Sequence, residues 1–257
     1  MIRDDNNLRA SLTEHAKWLK RIELTYSKIE NLIKSRKQHV FANIIFLIIE
    51  LETLVSGQEN RTDIQKILNK KKSFLVSLSS NPDVNYEILE KTLEELEEAD
   101  KRLRCLEVPP GNNLQKDHFI QLIKCKYNIK GPLYDFELPH LNYWIHQELE
   151  LQLDRIEFWL EDLIPIVKAA ELILRISRKS GQKTICTAEN GFYQYVNEKQ
   201  TNLDLMQIKV HPNLLEFPEI TGNKHKFLIR FLEEKNTQVK PQQATKSIKF
   251  ELFLITL

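Results

Sequence analysis

The side chains best placed to do chemistry in this sequence are three cations, Lys224, Lys226 and Arg230, in the stretch 217–231. After the Gly222-Asn223 dipeptide, which accepts positive φ, the residues alternate in period two, as a strand buried on one face requires. His225, Phe227, Ile229 and Phe231 fall on one face, and Lys224, Lys226, Leu228 and Arg230 on the other. Such a row has two readings. It is the solvated face of an amphipathic strand, where charged residues ordinarily stay wet, or it is a seat for an acidic partner, with Leu228 beside the charges to receive an apolar group. The neighbourhood favours the second. Between Gly222 and Lys249 the cations Lys224, Lys226, Arg230, Lys235, Lys240, Lys246 and Lys249 face only Glu233 and Glu234.

No other pattern announces catalysis. Glycines stand singly at positions 57, 111, 131, 181, 191 and 222, so there is no glycine-rich phosphate cradle. G-x-S-x-G and H-E-x-x-H are absent. His140 and His146 are six apart on one expected helix, a poor spacing for shared metal ligation. No enzyme activity, metal or cofactor is therefore expected. The chain of 257 residues balances 37 basic against 36 acidic side chains, which argues against coating nucleic acid or an anionic membrane through bulk charge. Cys105, Cys125 and Cys186 form no C-x-x-C pair, and the polar start offers no signal peptide, so a reducing cytosol is expected.

The elements that must position the basic row divide by pattern into an α+β protein. A helical region is expected over 1–181 and a small antiparallel β region over 182–257. Ser11-Leu12-Thr13-Glu14 reads as a capping box opening a long helix with the seam His15, Leu19, Ile22, Tyr26, Ile29 and Ile33. The run 40–51 is the most apolar and, being too short to span a bilayer, should be a buried central helix. Residues 81–83 read as a turn, 114–127 as one helix, and 139–178 as a long helix that Pro165 should kink. Apolar residues on several faces of 149–176 predict a helix wrapped on several sides or shared with a second subunit. Strands are expected over 183–188, 191–196, 203–210, 226–232 and 247–255. The polar segment 233–246 reads as a mobile hairpin loop, and the polar residues before Ser11 predict no strand there.

Several local patterns together resemble the Z-ring-associated protein D family of bacterial cell division. Arg21-Ile22-Glu23 matches a family R-I-E, and 136–146 fits F-x-L-P-x-L-x-x-W-x-H. Asn190-Gly191-Phe192-Tyr193-Gln194 fits N-G-F-Y-Q. Pro218, Ile220, Gly222, Lys224, Phe227, Ile229, Arg230 and Phe231 fit P-x-I-[ST]-G-x-K-x-R-F-x-I-R-F. Lys226 stands where that pattern has Arg, which keeps the charge and loses a planar fork. His118 likewise stands where an Arg is expected. The resemblance implies a non-enzymatic, cytoplasmic homodimer that binds the C-terminal tail of the tubulin-like protein FtsZ and bundles its filaments at midcell, without nucleic acid or membrane insertion. It places Lys224, Lys226, Leu228 and Arg230 at the centre of the tail site, with Arg61, Lys116 and Lys124 contributing from the helical part. The rival reading is a nucleic-acid binder using the same basic face, which lacks any recognised binding motif.

Overall fold

The computed structural model describes residues 7–37, 40–81, 84–127, 138–198, 201–234, 236 and 238–257. The expected turn at Pro82-Asp83, the break at Gly131-Pro132, Phe136-Glu137 of the tryptophan motif, and Lys235 lie outside them. The chain is α+β and divides into two compact units, Arg21–Ile173 and a second made of Met1–Lys20 with Leu174–Leu257.

The helices are α1 (Glu14–Ser35), α2 (Phe41–Val55), α3 (Gln58–Ser77), α4 (Tyr86–Arg104), α5 (Asn112–Lys116), α6 (His118–Tyr127), α7 (Pro139–Ile145), α8 (Leu149–Leu160) and α9 (Ile164–Lys179). In α1, Leu19, Ile22, Tyr26 and Ile29 are buried as the seam predicts, whereas His15 is exposed and Ala16 takes its place inside. Helix α2 is the buried core helix, hiding Phe41, Ile44, Ile45, Ile48, Leu51 and Val55. Helices α3 and α4 pair through Ile64, Leu68, Leu89, Leu96 and Leu103, and Lys72 bridges to Glu97 at 2.6 Å.

Three expected helices depart from the sequence pattern, two of them where a side chain accepts local backbone amides. The start of α1 is capped by Thr13, whose Oγ1 accepts from the Ala16 amide at 3.4 Å; Ser11 instead ends a strand. The expected helix 114–127 is split at Asp117. There Oδ1 accepts the amides of Phe119 (2.9 Å) and Ile120 (3.3 Å), and Oδ2 accepts from Arg155 and from the Trp159 indole (2.8 Å). The long helix 139–178 is three helices. Between α8 and α9, Asp162 turns inward and accepts the Asn113 amide at 2.9 Å. Burial pushes the Asp162 carboxyl up, against the amides around it. Pro165 falls in the first turn of α9, where its missing N–H leaves no helical bond broken, so it opens a helix rather than kinking one. The apolar faces of α9 are consumed within the chain: Ile166, Val167, Ala170 and Ile173 are fully buried. Leu151 and Phe158 of α8 are the exposed apolar residues of the segment 149–176.

The β unit holds β1 (Asn7–Ser11), β2 (Gln182–Ala188), β3 (Phe192–Val196), β4 (Leu205–Lys209), β5 (Phe217–Gly222), β6 (Lys226–Glu233), β7 (Gln242–Gln243) and β8 (Ile248–Ile255). One antiparallel sheet runs β1-β4-β8-β2, and the other β3-β6-β5 with β7 continuing beside β6. They share a core of Cys186, Ala188, Met206, Ile208, Phe227, Ile229, Phe231, Ile248, Phe250 and Leu252. Three strands, β1, β5 and β7, run where none was expected. β1 forms from polar residues by pairing with β4, Asn7 opposite Lys209 through Ser11 opposite Leu205. β5 occupies what reads as turn, carrying Pro218 on an edge strand where a missing donor is tolerated. The segment 233–246 is not a free loop over its described part, since Ala244 is buried and its amide donates to the Phe231 carbonyl at 2.9 Å.

Candidate functional site

Strand β6 is central to its sheet, and pairing on both sides fixes what surrounds the basic row. Phe227, Ile229 and Phe231 are fully buried, with Tyr195 stacked on Phe227 at 4.7 Å and Phe231 tilted against Phe250 at 5.4 Å. The opposite face of β6 therefore points outward by the two-residue period. Register then defines its columns. Arg230 lies opposite Phe192 of β3 and Glu219 of β5; Leu228 lies opposite Gln194 and Thr221; Lys226 lies opposite Val196. Leu232 lies opposite Phe217 and Gln243.

Lys226, Leu228 and Arg230 are thus brought together on one face. Lys224 is not part of that row, contrary to the period-two extrapolation, because the hairpin begins its turn at Asn223. The Asn223 side chain accepts the amides of His225 (2.9 Å) and Lys226 (3.3 Å), and its own amide donates to the Lys226 carbonyl at 2.9 Å. Gly222 makes the turn with φ of 131°, where a Cβ would lie 2.4 Å from the Lys226 carbonyl oxygen. Lys224 sits in this turn, its carbonyl held by the buried Asn197 amide group at 3.1 Å, and His225 is exposed there rather than on the inner face. Asn197 also receives the Thr201 amide and donates to the His225 side of the turn through its own backbone, so one side chain anchors the end of β3 to the hairpin tip.

Charge on the face is partly matched. Arg230 Nη2 lies 3.5 Å from Glu219 Oε2. Lys246 is held by the buried Glu216 at 2.6 Å, so it is not part of a free cationic field. Burial pushes the Glu216 carboxyl up, but the Lys246 hydrogen bond and neighbouring amides outweigh it and hold the group below the ordinary range.

The three residues assigned from the helical unit have separate surroundings. Arg61 donates from Nη1 to the Leu106 carbonyl and from Nη2 to the Arg104 carbonyl, both at 3.2 Å, and so caps the end of α4. Lys124 is bound at 2.6 Å by Glu52, whose side chain is 7% exposed. That ion pair takes up the Lys124 charge inside the unit. Lys116 is exposed at the end of α5.

Residues that the pattern reading missed complete the face. Phe192 and Val196 are exposed on β3, Phe217 on β5, and Leu215 ahead of β5 is 89% exposed. Alternation around Tyr193 and Tyr195 held the signal for the first two: once the tyrosines are inside, their neighbours must be outside. The face is accordingly cationic with apolar flanks. Among the described residues, no group of His, Cys, Asp and Glu is arranged to hold a metal ion, and no single helix is long and apolar enough to cross a membrane.

Comparison with known proteins adds an independent finding. Residues 20–230 match the family model ZapD, described as a cell division protein. The chain is similar to the cell division protein ZapD of Chromobacterium violaceum, 29% identical over 241 residues covering 94% of this chain and 95% of that one. It is likewise similar to the cell division protein ZapD of Aromatoleum aromaticum, 28% identical over 250 residues covering 96% of this chain and 95% of that one.

Proposed function

This chain belongs to the ZapD family of cell division proteins, and from that premise we propose that it is a cytoplasmic, non-enzymatic adaptor that binds the C-terminal tail of FtsZ and bundles FtsZ filaments at midcell. The observation that carries the reading is the outer face of the β3-β6-β5 sheet, where Lys226 and Arg230 stand among Phe192, Val196 and Leu228 on a strand whose underside is locked in the core. A row of cations on rigid backbone attracts an acidic segment, and flanking apolar side chains suit a peptide that mixes acidic and apolar residues. Lys224 contributes from the hairpin tip, outside the row, with Lys116 an exposed contributor in the helical unit. In this proposal residues 182–257 hold the tail and residues 1–181 form a homodimer. A dimer with one tail site per subunit crosslinks polymers and gains strength from a repeating lattice.

The test is charge reversal of Lys226→Glu with Arg230→Glu, followed by co-sedimentation with FtsZ polymers. Each rim charge contributes roughly 0.5–1 kcal/mol and reversal adds repulsion, so bundling should be lost while the unfolding midpoint and the mass by light scattering stay unchanged. Pelleting at the unaltered level would reduce the row to a solvated face, and a shift of labelled DNA in a parallel mobility assay would redirect the reading to nucleic acid.

A further inference from the structure

Glu219 is the single carboxylate among the described strand positions on the outer face of β3, β5 and β6; every other position there is cationic or uncharged. It stands directly across from Arg230, with Oε2 3.5 Å from Nη2. That separation is long for a charge-assisted bond, which ordinarily closes to about 2.7–2.9 Å. Both side chains are open to water, Arg230 44% and Glu219 47% exposed, so the pair is weak and displaceable. The guanidinium also has a defect in this arrangement. Its Nε is shut off from solvent and has no hydrogen-bond partner, a condition that carries a desolvation penalty. An incoming carboxylate can meet the two Nη nitrogens end-on with two bonds, whereas Glu219 holds only one of them, and at a long distance.

We infer that Glu219 is a built-in competitor: it parks the Arg230 guanidinium, and an acidic ligand engages the site by displacing it. This rests on the tail-binding reading of the same face. The device sets a threshold. A single weak carboxylate in solution gains little by replacing Glu219, whereas a segment presenting a carboxylate to Arg230 together with an apolar side chain to Leu228 and a second acid to Lys226 gains on three contacts and loses on one. The selected ligand is an extended peptide that carries acid, apolar and acid at every second residue, acid-x-apolar-x-acid, so that all three side chains fall on the one face that meets Lys226, Leu228 and Arg230.

The experiment measures fluorescence anisotropy of a labelled peptide repeating Glu-Ser-Leu-Ser, with unlabelled acetate as the single-acid control and FtsZ co-sedimentation in parallel. Glu219→Gln keeps shape and strand packing and removes the competing charge. It should tighten peptide binding about two- to fivefold, the range that exposed ion pairs of this kind are worth. Its advantage should shrink as salt rises. In the background of Arg230→Gln the substitution should have no effect, since there is no guanidinium left to release. Glu219→Thr, a strand former, gives a second route to the same loss of charge. If FtsZ pellets with the unaltered protein and Glu219→Gln binds the peptide no tighter, or weaker, the inference is overturned while the tail-binding reading stands. If neither FtsZ nor the peptide binds the unaltered protein or the Glu219 variants, the reading of the face fails and the inference with it.

Discussion

Replacing Asp117 by alanine is expected to destabilise the helical unit by about 2–4 kcal/mol, and the size follows from what its two oxygens do. Oδ1 caps α6 by accepting the amides of Phe119 and Ile120. Loss of a cap of this kind costs about 1 kcal/mol. Oδ2 receives the Trp159 indole, and Trp159 is fully buried, so removal leaves a donor without water or partner at about 1–3 kcal/mol. Arg155 is half-exposed and re-solvates, so its share is small. For a unit of this length the loss corresponds to a melting temperature lower by about 5–15 °C. Asp117→Asn keeps a single acceptor, enough for the cap but not also for the buried indole, so it should recover only about 1 kcal/mol of the loss seen with alanine. Urea unfolding followed by tryptophan fluorescence compares the three proteins. The reasoning is refuted if alanine lies within about 1 kcal/mol of the unaltered protein, or if asparagine is as stable as the unaltered protein.

Two further outcomes follow from buried charge. Lys124→Met strands the Glu52 carboxylate and should lose about 3 kcal/mol in denaturant unfolding, largely recovered by adding Glu52→Gln; a loss of FtsZ pelleting by the folded double variant would instead make Lys124 a contact residue. Glu216, with its carboxyl held below the ordinary range in the folded state, contributes stability that is present above that range and is lost as pH falls through its depressed value. The gap in melting temperature between the unaltered protein and Lys246→Met should therefore be widest near neutrality and close toward acid, and parallel pH profiles would contradict the assignment.

How far this was legible before the structure depends on the kind of signal. Where one residue type dictates one geometry, the reading held. Gly222 turns the β5–β6 hairpin at positive φ, as the Gly222-Asn223 dipeptide predicts. Phe227, Ile229 and Phe231 had to face inward once the strand was recognised, since no other arrangement buries three large side chains on one pleat face. What failed was local pattern where long-range partners decide. β1 is a strand because β4 offers it a ladder, not because Asn7 or Arg9 favours one. Asp117 and Asp162 end helices by turning toward amides and, for Asp117, a distant indole. Charge counting along 222–249 overstated the free cations, because Glu216 and Glu219 precede that window in sequence and meet Lys246 and Arg230 only across the fold. Lys226, Leu228 and Arg230 were findable from alternation; Phe192, Val196 and Glu219 needed the register.

The order of the first sheet has a consequence for how the molecule is made. Strand β8 follows all the other strands in sequence yet lies inside the sheet, between β4 and β2, and β1 is joined only to β4. Thr13 and Asp204, which bond at 3.0 Å where α1 begins, are 191 residues apart. A growing chain emerging from the ribosome meets its helical partners over 21–173 early and at short range, whereas β2 and β4 have nothing between them until the last strand arrives. The basic face is thus assembled on a unit whose companion sheet closes last, so a nascent or truncated chain presents helices before it presents a complete sandwich. A complete sandwich beneath the basic face is reserved by topology for molecules whose synthesis has reached β8.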